Sequence, residues 1–189
     1  HHSLRQGAEL QFQTLAKDNI DYMLDNKVKR VLTGCPHCFH TLLREYKELN
    51  PAFNVEVVHH SIFFWQLIRD KKLSLSMNKK WDKATYHDPC YLARIEARYK
   101  EPREIIKSCG INLIELSRNC SNTFCCGGGA GGFVRESREP VRIDMMRKNE
   151  IKQSGAELLI TSCPQCKMML SGAVEKTKDI VEILAEQIL

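Results

Sequence analysis

"VKRVLTGCPHCFHTLLREY" (Val28–Tyr46) returns later in the chain as "GAELLITSCPQCKMMLSGA" (Gly155–Ala173). Each copy reads as an apolar, β-branched run, a Thr or Ser, then Cys-Pro-x-Cys opening a helical pattern. Pro suits the first helical position, where its missing N–H would have had no intrahelical partner. The flanks correspond as well. "NVEVVHHSIFFWQLI" (Asn54–Ile68) and "KDIVEILAEQIL" (Lys178–Leu189) each run from a strand into an amphipathic helix. "AELQFQTLAKDNIDYMLDN" (Ala8–Asn26) and "EPVRIDMMRKNEIKQSG" (Glu139–Gly155) both carry helical periodicity. Strands alternating with helices imply an α/β architecture with mainly parallel sheets and flanking helices. The repeat predicts two similar lobes related by a pseudo-twofold, 1–76 and 77–189. The first is expected to be incomplete.

The second unit carries more. "KATYHDPCYLAR" (Lys83–Arg94) reads as a strand, a loop with His87, Asp88, Pro89 and Cys90, and a helix. That helix is expected to break before Pro102 and end near Gly110. "INLIELS" (Ile111–Ser117) is a strand, and "FCCGGGAGG" (Phe124–Gly132) follows it. Cys90, the pair Cys125–Cys126, and the pair Cys163–Cys166 therefore fall at strand-to-helix turns. In a parallel sheet such turns share one edge, outside the carboxyl ends of the strands. Five thiols distant in sequence are expected to converge there. Helix N-termini at that edge favour thiolates, and thiolates bind soft metals. Glycine is the residue that lets backbone come close to a bulky group. Gly127 and Gly128 are expected to bring their N–H groups to such a centre. Zinc takes four ligands, so five converging thiols favour an iron–sulfur centre, with zinc the other possibility.

Composition narrows the class. The 189 residues carry a formal charge of +5 with Lys and Arg scattered, so nucleic acid is not an expected partner. No apolar run reaches the roughly 18 residues of a membrane span. Nine cysteines are an odd count for a disulfide framework and suit metal or redox chemistry in a reducing compartment. A cytoplasmic location is expected, with membrane association through other parts of a parent protein or its partners.

At Cys90, Cys125-Cys126-Gly127 and Cys163-Pro-Gln-Cys166 the chain resembles the cysteine-rich CCG domain family. "YHDPCYLAR" and "ELLITSCPQCKMML" resemble it too. That family includes the catalytic subunits of heterodisulfide reductases and related iron–sulfur subunits of several oxidoreductases. The resemblance implies a [4Fe–4S] cluster, cubane or non-cubane, used for electron transfer or disulfide reduction, or zinc at some of these sites. It implies redox partners that are ferredoxin-like, flavoproteins, or linked to membrane quinones. Members usually carry two such motifs. Here the second is complete, and of the first only Cys35 and Cys38 are present. The chain is thus expected to be a C-terminal part of a longer protein, inactive alone. Its Cys35–Cys38 pair is expected to hold no full cluster and to sit in a loosely held loop.

Other residues have plainer readings. Cys109 is expected in the core, and Cys120 in a loop. His87 is a candidate for tuning the centre. Asp88 is expected either to tune the centre or donate a proton, as His87 could, or to cap the helix after Pro89, the cap being the favoured reading. His59 and His60 read as loop residues, and Met145, Met146, Met168 and Met169 as core filler. Phe63, Phe64 and Trp65 read as packing for the first unit or its interface, and Arg142, Arg147 and Lys148 as a solvated helix face. Two competing functions stay open: a thiol–disulfide oxidoreductase using Cys-Pro-x-Cys, and a structural zinc module.

Overall fold

The computed structural model describes residues 2–76, 81–134 and 142–188. The expected lobe boundary at 77 and the residues Glu139–Val141 of one expected helix lie outside them. A short helical turn, His2–Arg5, precedes α1 (Glu9–Asp25), which buries Phe12, Ala16 and Ile20 at a spacing of one helical turn. Then come β1 (Arg30–Thr33), α2 (Pro36–His40), and β2 (Glu56–His59) leading directly into α3 (His60–Arg69). β3 (Lys83–His87), α4 (Lys100–Ser108) and β4 (Asn112–Ile114) follow. The last elements are α5 (Ile143–Gln153), β5 (Leu158–Thr161), α6 (Pro164–Leu170), β6 (Lys176–Asp179) and α7 (Ile180–Ala185).

The strands form two sheets, β1-β2 and β4-β3-β5-β6, and every pairing in them is parallel. This is the α/β architecture with parallel sheets and flanking helices that the repeat implied. The two Cys-Pro-x-Cys turns also sit alike. Thr33 pairs with His59 at the end of one sheet, and Thr161 with Asp179 at the end of the other. Both partners then cap the next helix, His59 accepting from the Ser61 N–H and Asp179 from the Val181 N–H.

The helix after Cys90 breaks before Pro102 and ends near Gly110, as expected, whereas two other expectations about local structure need correction. A π-type turn, Tyr91–Ile95, ends at Ala97 with φ of 55°, and Pro102 sits inside the first turn of α4. There its missing N–H has no intrahelical partner to lose. A second π-type turn, Thr41–Glu45, extends α2. Met145, Met146 and Met168 are exposed, and of the four only Met169 is buried. The buried stripe of α5 is Asp144, Arg147 and Ile151, which leaves both of its methionines to the side. Arg147 is therefore buried in full and no part of a solvated face.

The cores interlock. Phe12, Ile20, Phe39, Phe53 and Val57 form one cluster, completed by Leu92 from the turn after Cys90. Ala84, Tyr86, Ile105, Ile106, Leu158 and Ile183 form another, against which Phe64, Trp65 and Ile68 of α3 pack. Each half of the chain thus lends an apolar element to the other.

Candidate metal centre

β3 ends at His87, and the chain turns through Asp88 and Pro89 to place Cys90 at the start of the π-type turn. β5 ends at Thr161, and Cys163 becomes the N-cap of α6 with Pro164 behind it. The adjacent strands β3 and β5 set His87 beside Thr161, whose hydroxyl donates to the His87 carbonyl at 3.1 Å. Between these two turns lies the Cys125–Cys126 loop. The Cys166 thiol donates to Cys126 across 3.3 Å.

The remaining contacts make one continuous series, Cys90–Cys125–Cys126–Cys166–Cys163. Cys125 accepts from the Cys126 and Cys90 thiols and from the Gly127 N–H at 3.3 Å, which pulls its own thiol down to about 2. Cys126 is pushed up to about 12, chiefly by donating to Cys125. Cys90 is raised by the same neighbour and by burial. Cys163 is lowered by the Cys166 thiol, and Cys166 is raised by its contacts with Cys126 and Cys163. Each lowered thiol, Cys125 or Cys163, has only raised ones beside it in the series, because neighbouring thiolates repel, so the five cannot all ionise unless a cation compensates them. All nine cysteines are described, and none is in a disulfide.

The glycines serve this loop in two ways. Gly127, at φ of 83°, donates its N–H to Cys125, and the Gly128 N–H reaches Cys126. A side chain at Gly128 would meet Met169 at 2.9 Å, and one at Gly132 would lie 2.2 Å from the Gly127 carbonyl oxygen. The N–H groups of Gly127 and Gly128 therefore face cysteine sulfur, whereas Gly132 is needed so that the loop can fold back on itself.

His87 is fully buried, and one of its ring nitrogens lies within 4.8 Å of the sulfurs of Cys126 and Cys166. Nδ1 accepts from Arg147 Nε at 3.1 Å, and Nε2 has no hydrogen-bond partner among the described residues. Burial and then the Arg147 charge hold the ring's pKa at about 3, so it is neutral. Arg147 also donates to Glu150 at 2.6 Å and to the Arg118 carbonyl at 3.0 Å. Sequence reading missed Arg147. Its only signal is the helical spacing that puts it on the same stripe as Ile151.

Asp88 does not cap a helix. Both its oxygens accept from Arg103 at 2.8 Å, and one takes the Cys120 N–H at 2.9 Å, tying β3's end to α4 and to the Cys120 loop. Cys120 interacts with Arg103, Asp88 and Glu115 and lies outside the thiol series. Cys109 is a core residue, as expected.

The Cys35–Cys38 turn is hydrogen-bonded within itself. The Cys38 N–H donates to Cys35 Sγ at 3.3 Å, and the Cys35 thiol is pulled down to about 4, mainly by Cys38. His37 packs on Tyr91, next to Cys90, with ring centroids 4.2 Å apart. Cys38 and Cys163 are near enough to raise Cys38 electrostatically. His59 and His60 are not loop residues. His59 is a buried cap, and His60 is buried with Nε2 3.5 Å from Asp179 Oδ1. The two Cys-Pro-x-Cys helix starts are thus close to each other.

A parallel α/β scaffold gathering buried cysteines at one sheet edge defines a cysteine-rich, soft-metal type of protein. The chain belongs to the CCG family, described as a cysteine-rich domain, whose model matches residues 2–43 and 84–171. It is 38% identical, over 96% of its length, to a probable membrane-anchored ferredoxin of Chromohalobacter salexigens, of which it covers 28%. To the probable iron-sulfur-binding oxidoreductase FadF of Bacillus subtilis it is 33% identical, over 98% of this chain and 27% of that one. To one of the subunits of the dihydromethanophenazine:CoB–CoM heterodisulfide reductase of Methanosarcina barkeri it is 29% identical, over 91% of this chain and 44% of that one. The chain spans less than half the length of each of these relatives. No helix among the described residues is long and apolar enough to cross a membrane.

Proposed function

We propose that the chain is an iron–sulfur portion of an oxidoreductase of the heterodisulfide reductase type. Cys90, Cys125, Cys126, Cys163 and Cys166 would hold a [4Fe–4S] centre, and the centre would supply one-electron transfer. The observation that carries this reading is the unbroken series of five thiols, drawn together from two strand-to-helix turns and the Cys125–Cys126 loop, three of them buried and two partly so. The donor set fits. It is all sulfur, it needs positive charge to ionise fully, and the N–H groups of Gly127 and Gly128 already point at two of the sulfurs. Five thiols exceed the four ligands of a structural zinc site, and this supports the non-cubane form over zinc. Redox partners that are ferredoxin-like, flavoproteins or quinone-linked fit the same reading. A cytoplasmic protein attached to membranes through partners fits the same reading.

Cys35 and Cys38 read as the remaining part of a second site in an incomplete first lobe. In the four-stranded sheet β5 is flanked by β3 and β6, whereas its counterpart β1 pairs only with β2 among the described residues. Leu32 on β1 is 48% exposed. That edge has room for further strands.

Anaerobic reconstitution with iron and sulfide tests the proposal. The expected result is a brown protein with broad visible absorbance and about four irons and four sulfides per chain. Uptake of zinc alone would reject it. A second reading rests on the depressed Cys35 thiol at a helix start, which suits thiol–disulfide exchange. It would be favoured if the metal-free chain reduced disulfides and Cys35→Ser abolished that.

A further inference from the structure

Among the described residues, His87 Nε2 is a buried polar atom without a hydrogen-bond partner close to the cysteines, and a neighbour fixes the ring's chemistry. Its Nδ1 faces Arg147 Nε at 3.1 Å. A guanidinium only donates, so Nδ1 must present its lone pair. The neutral ring then keeps its single proton on Nε2. Nε2 is buried and unpartnered among the described residues, and the sulfurs of Cys126 and Cys166 lie within 4.8 Å of one of the ring's two nitrogens. A protonated nitrogen cannot ligate a metal, but it can donate to a thiolate or a sulfide.

Arg147 is held so that it cannot turn away. Its Nη1 group donates to Glu150 at 2.6 Å and to the Arg118 carbonyl at 3.0 Å. Glu150 is fixed in turn by the Ser117 hydroxyl at 2.6 Å and the Arg118 N–H at 3.2 Å. Ser117 and Arg118 follow β4, so the chain that leads into the cysteine loop also anchors the arginine.

We propose that Arg147 is a positioning residue that locks His87 in its Nε2–H tautomer, and that this N–H donates to a sulfur of the bound centre, making it easier to reduce. The inference rests on the iron–sulfur reading above but adds that His87 is a donor and not a ligand. A hydrogen bond to sulfur offsets negative charge that grows on reduction, so it favours the reduced state. The same geometry disfavours zinc on His87, Cys126 and Cys166, since Nδ1 is taken by Arg147 and Nε2 carries the proton.

Two measurements test this. The first needs no metal. In the metal-free 189-residue chain labelled with nitrogen-15 histidine, long-range proton–nitrogen correlation reads each ring's tautomer, with His87 assigned by its loss in His87→Gln. We expect protonated Nε2 and unprotonated Nδ1 in the parent chain, and a loss of that single state in Arg147→Met. A protonated Nδ1 overturns the proposal. The second uses the anaerobically reconstituted protein. We expect His87→Phe to keep the same iron per chain and to shift the reduction potential negative. His87→Gln, which retains an N–H, should fall between it and the parent. An unchanged potential in His87→Phe overturns the proposal. Should His87→Phe fail to fold, nitrogen hyperfine coupling in the parent decides. Weak coupling with an exchangeable proton supports the donor, and strong coupling from a directly bonded nitrogen overturns it. A chain that takes up no cluster overturns the functional reading and with it the sulfur acceptor, while the tautomer measurement still decides whether Arg147 fixes His87.

Discussion

Cys109 and Cys125 carry the same side chain in opposite surroundings. Cys109 packs with Ile105, Ile106 and Ile111, and burial alone pushes its thiol up to about 11. Cys125 is pulled the other way by two thiols and a glycine N–H. Iron content should separate them. Cys125→Ser or Cys163→Ser should lose most of the iron after reconstitution. Cys109→Ser should keep it and lose about 1–3 kcal/mol of stability, from a hydroxyl placed among apolar side chains. Equal iron in all three would refute the ligand set. Asp179 gives a prediction in pH. Its carboxyl is raised to about 6, chiefly by burial. A carboxyl whose folded pKa lies above its unfolded value adds stability at low pH, and that stability is lost as pH rises through about 6. Asn caps a helix about as well as Asp. Asp179→Asn should therefore gain stability relative to the parent between pH 4 and 7, read as a widening difference in melting temperature. A flat or narrowing difference would show that the carboxylate is not desolvated.

The elements explain which of these residues could be read in advance. A cysteine after an apolar run announces a strand-to-helix turn, so the five thiols and both Cys-Pro-x-Cys starts were legible from local pattern. Arg147 was not, because α5 is polar around most of its circumference and nothing local marks its buried stripe. Asp88 looked like a cap because its partner Arg103 lies on the next helix, a relation that spacing does not encode. His59 was misjudged for the reverse reason. A histidine is an uncommon cap, yet it occupies the position that Asp179 takes in the other half. The glycine loop yields a paired test. Gly132→Ala puts a methyl group 2.2 Å from the Gly127 carbonyl oxygen, while Gly129→Ala meets nothing within 4 Å. Gly132→Ala should cost about 1–3 kcal/mol by overpacking and lower iron uptake. Gly129→Ala should leave uptake unchanged. If the two behave alike, the close fold of this loop is not what positions Cys125 and Cys126.

For the whole molecule, the open β1 edge and the Cys35–Cys38 turn lead to a count of iron. A longer chain carrying the two further strands and a second Cys-Cys-Gly segment ahead of Glu9 should bind about twice the iron of this one, as two clusters of the same type would require. Two full clusters in the present chain would show that Cys35 and Cys38 are not half of a site. The shared cores predict one cooperative unfolding transition by circular dichroism and by tryptophan fluorescence, with coincident midpoints. Separate midpoints would show that the halves are independent. The same interlocking bears on how the protein is made. The cluster around Phe12, Phe39 and Phe53 is closed by Leu92, and the later sheet needs Phe64 and Trp65 from the earlier half. As the chain leaves the ribosome, its first half stays unsealed until Leu92 has emerged. The later sheet then closes onto a helix that is already waiting for it. Neither half is a separate folding task for the cell.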